Sequence, residues 1–231
     1  ILSAGGEIRT GVSVRHIRPC PEGGLSVEHG QSSDRFEKVI FTGPVNVLQK
    51  ITASQLLQVT NRSSTVEYLG VICMVLVTRK PLCPYYIVNI ADVRIPFTGV
   101  IGMTNVVAPT ETAGRYLTYL PKYVLSDDPL LKRTDEELRS PFFDGLYLMF
   151  PNLRGEDIDG VHIHRAVKVQ PLQVLNYSHL VPQVITEHQD FFVLNTSQFV
   201  CGTLNNNEVI RAVDEFLETY ALTFEDGRNS L

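Results

Sequence analysis

Residues 190–222 constrain the fold more than any other stretch. Phe191, Phe192, Val193 and Leu194 form a short apolar run, and a polar turn follows, Asn195-Thr196-Ser197-Gln198. Asn205-Asn206-Asn207 then opens a segment in which Val209, Val213, Phe216, Leu217 and Tyr220 recur at helical spacing. That spacing predicts one inward face, with Asp214, Glu215 and Glu218 turned to water. A strand thus feeds a helix. An Asn-capped helix start leaves backbone N–H groups that favour an acceptor or a negative charge, although the pattern alone better suits an ordinary capped helix returning to the core.

The rest of the chain supplies sheets for this unit to join. Residues 7–43 read as a β-meander that starts at Ile8. Val12, Val14 and His16 alternate with Ser13, Arg15 and Ile17, and Pro21-Glu22-Gly23-Gly24 makes the turn. Residues 45–58 have helical spacing through Val47, Leu48, Ile51, Leu56 and Leu57, and Ser63-Ser64-Thr65 breaks it. Residues 68–79 and 85–91 are apolar runs on either side of a proline-stiffened turn, and residues 99–107 and 115–120 add two more. Short links between them favour an antiparallel sheet. Ser126-Asp127-Asp128-Pro129 begins a helical stretch, and Thr134-Asp135-Glu136-Glu137 carries a capping-box pattern ahead of Leu138, Phe142, Leu146 and Met149. This helical layer is expected to cover one side of the sheet. Between strands, residues 94–99 form either a pocket-shaping loop or a plain turn.

Alternation over residues 161–169 places Val161, Ile163, Arg165, Val167 and Val169 on one face. A guanidinium on an apolar face needs a partner, either a structural carboxylate or an anionic group of a cofactor or substrate. His162 and His164 share the opposite face; two ligands without a third nearby make a poor metal site, so a solvated strand face and no metal are expected. Lys122, after Pro121, is a further candidate for substrate contact.

Composition excludes several classes. The formal net charge is −5 and the basic residues are scattered, so no basic stripe marks a nucleic-acid surface. The longest apolar run, residues 69–77, falls far short of the roughly 20 residues a membrane helix requires. Cys20, Cys73, Cys83 and Cys201 are far apart and form no C-x-x-C pair, which points away from structural zinc and a disulfide scaffold and towards a reducing, cytoplasmic setting. No G-x-S-x-G, H-E-x-x-H or P-loop occurs. The side chains advertise no nucleophile, as suits an enzyme whose cofactor carries the chemistry.

The order of strand, Asn195 to Gln198, Asn-rich turn and helix resembles the C-terminal flavin-contacting segment of FAD-dependent amine-oxidase-type oxidoreductases, the superfamily that includes protoporphyrinogen oxidase and UDP-galactopyranose mutase relatives. Other motifs agree: Gly5-Gly6-Glu7-Ile8-Arg9 through Val14-Arg15-His16-Ile17, Lys38-Val39-Ile40-Phe41-Thr42-Gly43-Pro44, Pro96-Phe97-Thr98-Gly99-Val100, Tyr119-Leu120-Pro121-Lys122-Tyr123 and Gln170-Pro171. The resemblance implies an α+β chain, an incomplete FAD/NAD(P)-binding domain plus a mixed or antiparallel substrate-binding sheet covered by helices. It implies FAD contacts at Val14, Thr42, Pro44, Asn195, Gln198, Asn206 and Asn207, and substrate contacts at Arg165, Lys122 and Tyr177. Val14 also reads simply as a core strand residue. The family's G-x-G-x-x-G fingerprint has no counterpart here, so the chain reads as the C-terminal part of a longer protein whose missing N-terminal segment binds the ADP half. The expected division is 1–62 for part of the FAD domain, 63–182 for the substrate region and 183–231 for the returning strand, turn and helix. Hydride transfer from a small-molecule substrate to flavin is the implied reaction, with the fragment alone expected to be inactive. The alternatives are a mutase-like isomerase and a non-catalytic interaction domain. Without its partner segment, an exposed edge strand and apolar patch would promote self-association.

Overall fold

The structure, a computed structural model, describes residues 1–52, 56, 66–181, 184, 186, 188–200, 202 and 204–225, excluding the side chains of 221–225. In chain order the elements are β1 (Val14–Pro19), β2 (Leu25–His29), β3 (Ser32–Phe36), β4 (Val39–Phe41), α1 (Val45–Ile51), β5 (Tyr68–Thr78), β6 (Ile87–Asn89), β7 (Gly99–Gly102), β8 (Tyr116–Leu125), α2 (Asp135–Met149), β9 (Ile158–Pro171), β10 (Phe191–Val193) and α3 (Asn206–Glu225). They divide between two compact units, Ile1–Val66 with Gln173–Leu231, and Glu67–Leu172. The sequence boundaries expected after residues 62 and 182 fall on residues outside the described set.

In the first unit β1, β2 and β3 form an antiparallel sheet, and β4 pairs in parallel with β10. Gly24 shapes the β1–β2 connection with a positive φ, and a Cβ there would lie 2.6 Å from the Phe36 carbonyl oxygen. Ile17, Leu25, Leu48, Leu56, Phe191 and Val193 make the core of this unit. Strand structure begins at Val14, not Ile8, and Ile17 is buried while Val14 stays exposed. Helix α1 ends at Ile51; of the remainder of the expected 45–58 helix, residues 53–55 and 57–58 lie outside the described set.

Helix α3 is turned relative to the face its sequence predicts. Among its described side chains only Phe216 is buried, packed edge-on against Phe192 with Tyr220 beside it. Positions 208, 212, 216 and 220 form the half-buried or buried stripe, whereas Val209, Val213 and Leu217 remain exposed. Helical periodicity identifies an amphipathic helix, and which of two adjacent apolar stripes packs depends on the neighbour present.

The second unit is one antiparallel sheet in the order β6-β7-β8-β5-β9. Every even-numbered residue of β5 from Tyr68 to Thr78 is buried, and every odd-numbered one is half-buried. The even face packs under α2, where Ile72, Met74, Leu76 and Leu120 meet Leu138, Phe142 and Leu146. Thr134 and Glu137 cap α2 reciprocally, as the sequence pattern predicts, and Pro141 lies within the helix. The stretch from Pro129 is a single 3-10 turn capped by Asp128. Residues 94–99 drive Ile95 and Phe97 into this core, and Phe97 stacks on Phe142 at 5.6 Å. That loop anchors the helix layer.

Strand β9 is not a plain alternation. Leu69 faces Gln170 and Val71 faces Ala166, so Val167, Lys168 and Val169 stand opposite Gly70 alone, two more residues than a regular ladder holds. Two extra residues keep the period of two, so Gln170 returns to the face of Ala166 and Pro171 to that of Arg165, and only the residues within the bulge lose their place in the alternation. Val167, within the bulge, is 51% exposed and does not share the half-buried face of Arg165.

Candidate functional site

In the first unit the turn after β10 is built by two amides. Asn195 is buried; its Oδ1 accepts the Ser197 N–H at 2.9 Å, and its Nδ2 donates to the Gly43 carbonyl at 3.1 Å. Gln198 Oε1 accepts the Asn195 N–H at 2.8 Å, while its Nε2 donates to the Val193 carbonyl at 3.0 Å. Tyr177 is buried too, and its hydroxyl donates to the Ser197 carbonyl at 2.7 Å. These three sequence-predicted residues therefore meet at one turn, which they hold in place. Asn195 also begins an Asn-x-Ser sequon, which its burial removes from any surface role.

The β4 side of this unit presents Thr42 exposed and Pro44 at the N-cap of α1, with Gly43 tied to Asn195. Val14 pairs with His29 at the far end of β1. At the start of α3, Asn205 Oδ1 accepts the Glu208 N–H at 3.0 Å and the Asn205 carbonyl accepts the Val209 N–H at 3.2 Å. The N–H groups of Asn206 and Asn207 precede the first intrahelical donors and point out of the helix end. A cleft of about 340 Å³ runs between the turn and α3, lined by Leu194, Gln198, Phe199, Ala212 and Phe216 among others.

In the second unit the face of the sheet opposite α2 is apolar and accessible. One row crosses all five strands: Ile87, Ile101, Tyr119, Val75 and His162. Beside it run Pro121, Cys73 and His164, then Tyr123, Val71 and Ala166. Val71, Cys73 and Val75 are half-buried although β5 is an interior strand, and Tyr123 is exposed. Burial pushes the Cys73 thiol above its ordinary pKa, a setting that disfavours a thiolate. His162 and His164 share this face, and among the described residues no group of three metal-ligating side chains occurs.

Lys122 and Arg165 both flank Ile72, on the α2 side of the sheet. Arg165 reaches Asp135 at 2.6 Å and the Arg133 carbonyl at 2.8 Å, which ties β9 to the start of α2. Its Nε is buried without a hydrogen-bond partner. The open face is hidden in the sequence because β5 reads as one continuous apolar run. Its signal lies in the neighbours, where Tyr119 and Tyr123, and His162 and His164, each recur at a spacing that puts both on one face.

The profile of the family described as flavin containing amine oxidoreductase matches residues 2–191. This chain belongs to that family. Solved structures agree in fold: an oxidoreductase from Methanosarcina mazei superposes with a TM-score of 0.71 at 17% identity over 94% of this chain and 51% of its own. Putrescine oxidase bound to putrescine gives 0.70 at 15% identity over 93% and 51%, and reduced UDP-galactopyranose mutase gives 0.61 at 14% over 77% and 39%. The chain thus spans about half the length of the oxidoreductases it matches. No curated protein matches it. Among the described residues no helix is long and apolar enough to cross a membrane.

Family membership implies a flavin, and the donor set at the start of α3 fits one. A flavin edge carries carbonyl acceptors and gains negative charge on reduction, and outward N–H groups at a helix N-terminus stabilise both. The Asn195 and Gln198 side chains instead hold the backbone of the turn.

Proposed function

We propose that this chain forms the substrate wall and the C-terminal flavin contacts of an FAD-dependent oxidoreductase that takes hydride from a substrate C–H bond. The observation that carries the reading is the five-stranded sheet, packed under α2 on one face and left apolar and accessible on the other, in a chain of a flavin-dependent family. A flavin, when bound, supplies the hydride acceptor, so the wall needs no nucleophile of its own. Val71, Val75 and Tyr119 bind the carbon skeleton and keep water from the reacting bond. Asn206 and Asn207 present N–H groups to an acceptor edge, and the Asn195–Gln198 amides keep the neighbouring turn from reorganising during the reaction.

The ADP half of FAD belongs, in this reading, to a preceding segment with the dinucleotide fingerprint, in a cytoplasmic protein. Such a segment would cover the outer edge of β4 and the Val209, Val213 and Leu217 stripe of α3; uncovered, both favour self-association. A mutase-like reading is weaker, because a diphosphate needs converging basic groups and Arg165 is engaged by Asp135. The test is the visible absorbance of the protein carrying that segment, as purified and after anaerobic addition of candidate substrates. Flavin bands that bleach on reduction support the proposal, and a colourless protein overturns it.

A further inference from the structure

The open face of the β6-β7-β8-β5-β9 sheet has a definite charge character. Across its rows the side chains are aliphatic, aromatic, thiol, imidazole or, at Asn89 and Gln170, neutral amide, and no Asp or Glu pairs into it anywhere from β5 to β9. The carboxylates at the sheet's end are already matched. Asp159 is held by Arg79 at 2.7 Å and by Arg115, and Asp157 lies 3.6 Å from Lys80. A cation brought onto this face would leave water without meeting an opposite charge, and unpaired charges are strongly disfavoured in an apolar site.

The polar groups that border the face sit on its edge strands, Asn89 on β6 and Gln170 on β9, and the ionisable ones are both on β9, where His162 lies opposite Val75 and His164 opposite Cys73. Imidazoles offer hydrogen bonds to neutral groups and, when protonated, attraction to anions; they never supply negative charge. We propose that this wall takes an apolar skeleton with a neutral or anionic polar end directed at His162 and His164, and that it rejects diamine dications. The inference rests on the reading of this face as the substrate wall.

The experiment uses the flavin-loaded protein and displacement of the fluorescent dye anilinonaphthalene sulfonate, with decanoate and putrescine as competitors. Decanoate displaces the dye and putrescine at equal concentration does not. Val75→Asp, at the centre of the face, weakens decanoate by about tenfold or more by placing a like charge there. Tyr123→Ser, at an exposed position that tolerates change, also weakens it and serves if Val75→Asp does not fold. Displacement by putrescine, failure of decanoate to displace, or a natively folded Tyr123→Ser protein with unchanged decanoate affinity would overturn the inference. The two readings fail separately. Decanoate binding in a colourless protein removes the flavin and keeps the wall's preference, whereas flavin bands bleached by putrescine do the reverse.

Discussion

Replacing Asn195 tests whether the turn after β10 is held as its hydrogen bonds indicate. Asn195→Ala removes the acceptor of the Ser197 N–H and the donor to the Gly43 carbonyl. Ser197 is 1% exposed, so no water replaces the lost acceptor. A buried donor left unsatisfied costs about 1–3 kcal/mol and the second bond adds about 0.5–1.5 kcal/mol, for a loss of roughly 2–4 kcal/mol. Hydrogen exchange reports this locally through two amides that join β10 to β4: Leu194 N–H to Phe41 at 3.0 Å, and Val39 N–H to Asp190 at 2.9 Å. Their protection should fall by roughly 30- to 1,000-fold, at about tenfold per 1.4 kcal/mol. Asn195→Asp sharpens the test. The aspartate still accepts from Ser197, but its second oxygen faces the Gly43 carbonyl, so its folded pKa should rise above the unfolded value of about 3.9. Between those two pKa values the folded state binds more protons, hence stability falls as pH rises through the window and is recovered on acidification. Equal protection in Asn195→Ala and the parent protein, or an Asn195→Asp protein insensitive to pH, would refute the reasoning.

Substitutions in the second unit have definite outcomes as well. Gly70→Ala should destabilise the sheet by about 1–3 kcal/mol in a denaturant melt, because the added methyl meets the Ala166 and Val167 carbonyl oxygens at 3.1 Å. The Arg79 hydrogen bond, with Arg115 nearby, holds the Asp159 carboxyl below its ordinary range, so its contribution is present above the unfolded pKa and is lost as pH falls through the folded one. Asp159→Asn should therefore lower stability at neutral pH and flatten the acid limb of a pH–stability curve, more visibly at low salt. Arg165→Met should change stability by less than about 1 kcal/mol, since its partner Asp135 is largely exposed, and should leave substrate-dependent flavin bleaching intact.

What is legible in the sequence is local. The capping box at Thr134, the strand at residues 191–193 and the helix after Asn205 depend on neighbouring residues, and the structure has each of them. The family resemblance is legible in short local motifs, and the match over residues 2–191 bears it out. Facing is not legible in the same way. The bulge opposite Gly70 takes Val167 out of the alternation of β9 without an unusual residue of its own, and the packed stripe of α3 depends on Phe192, some 24 positions from Phe216. Asn195, Gln198 and Tyr177 stand out in the sequence as polar residues in a promising stretch; sequence does not show that their polar atoms answer to the backbone of the turn itself.

The parallel pairing of β4 with β10 also sets an order of events. Gly43 and Asn195 are 152 positions apart, and residues 67–172, which lie between them, form a unit of their own. A ribosome releases that unit as one contiguous piece, able to collapse on emergence through its neighbouring strands. Residues 1–66 must meanwhile wait for residues 173–231 before their parallel strand finds its mate. During that interval Ile17, Leu25 and Leu48 have no Phe191 or Val193 to pack against. Synthesis rate and chaperone access should therefore govern the yield of this protein through its first unit, while the second assembles on its own schedule.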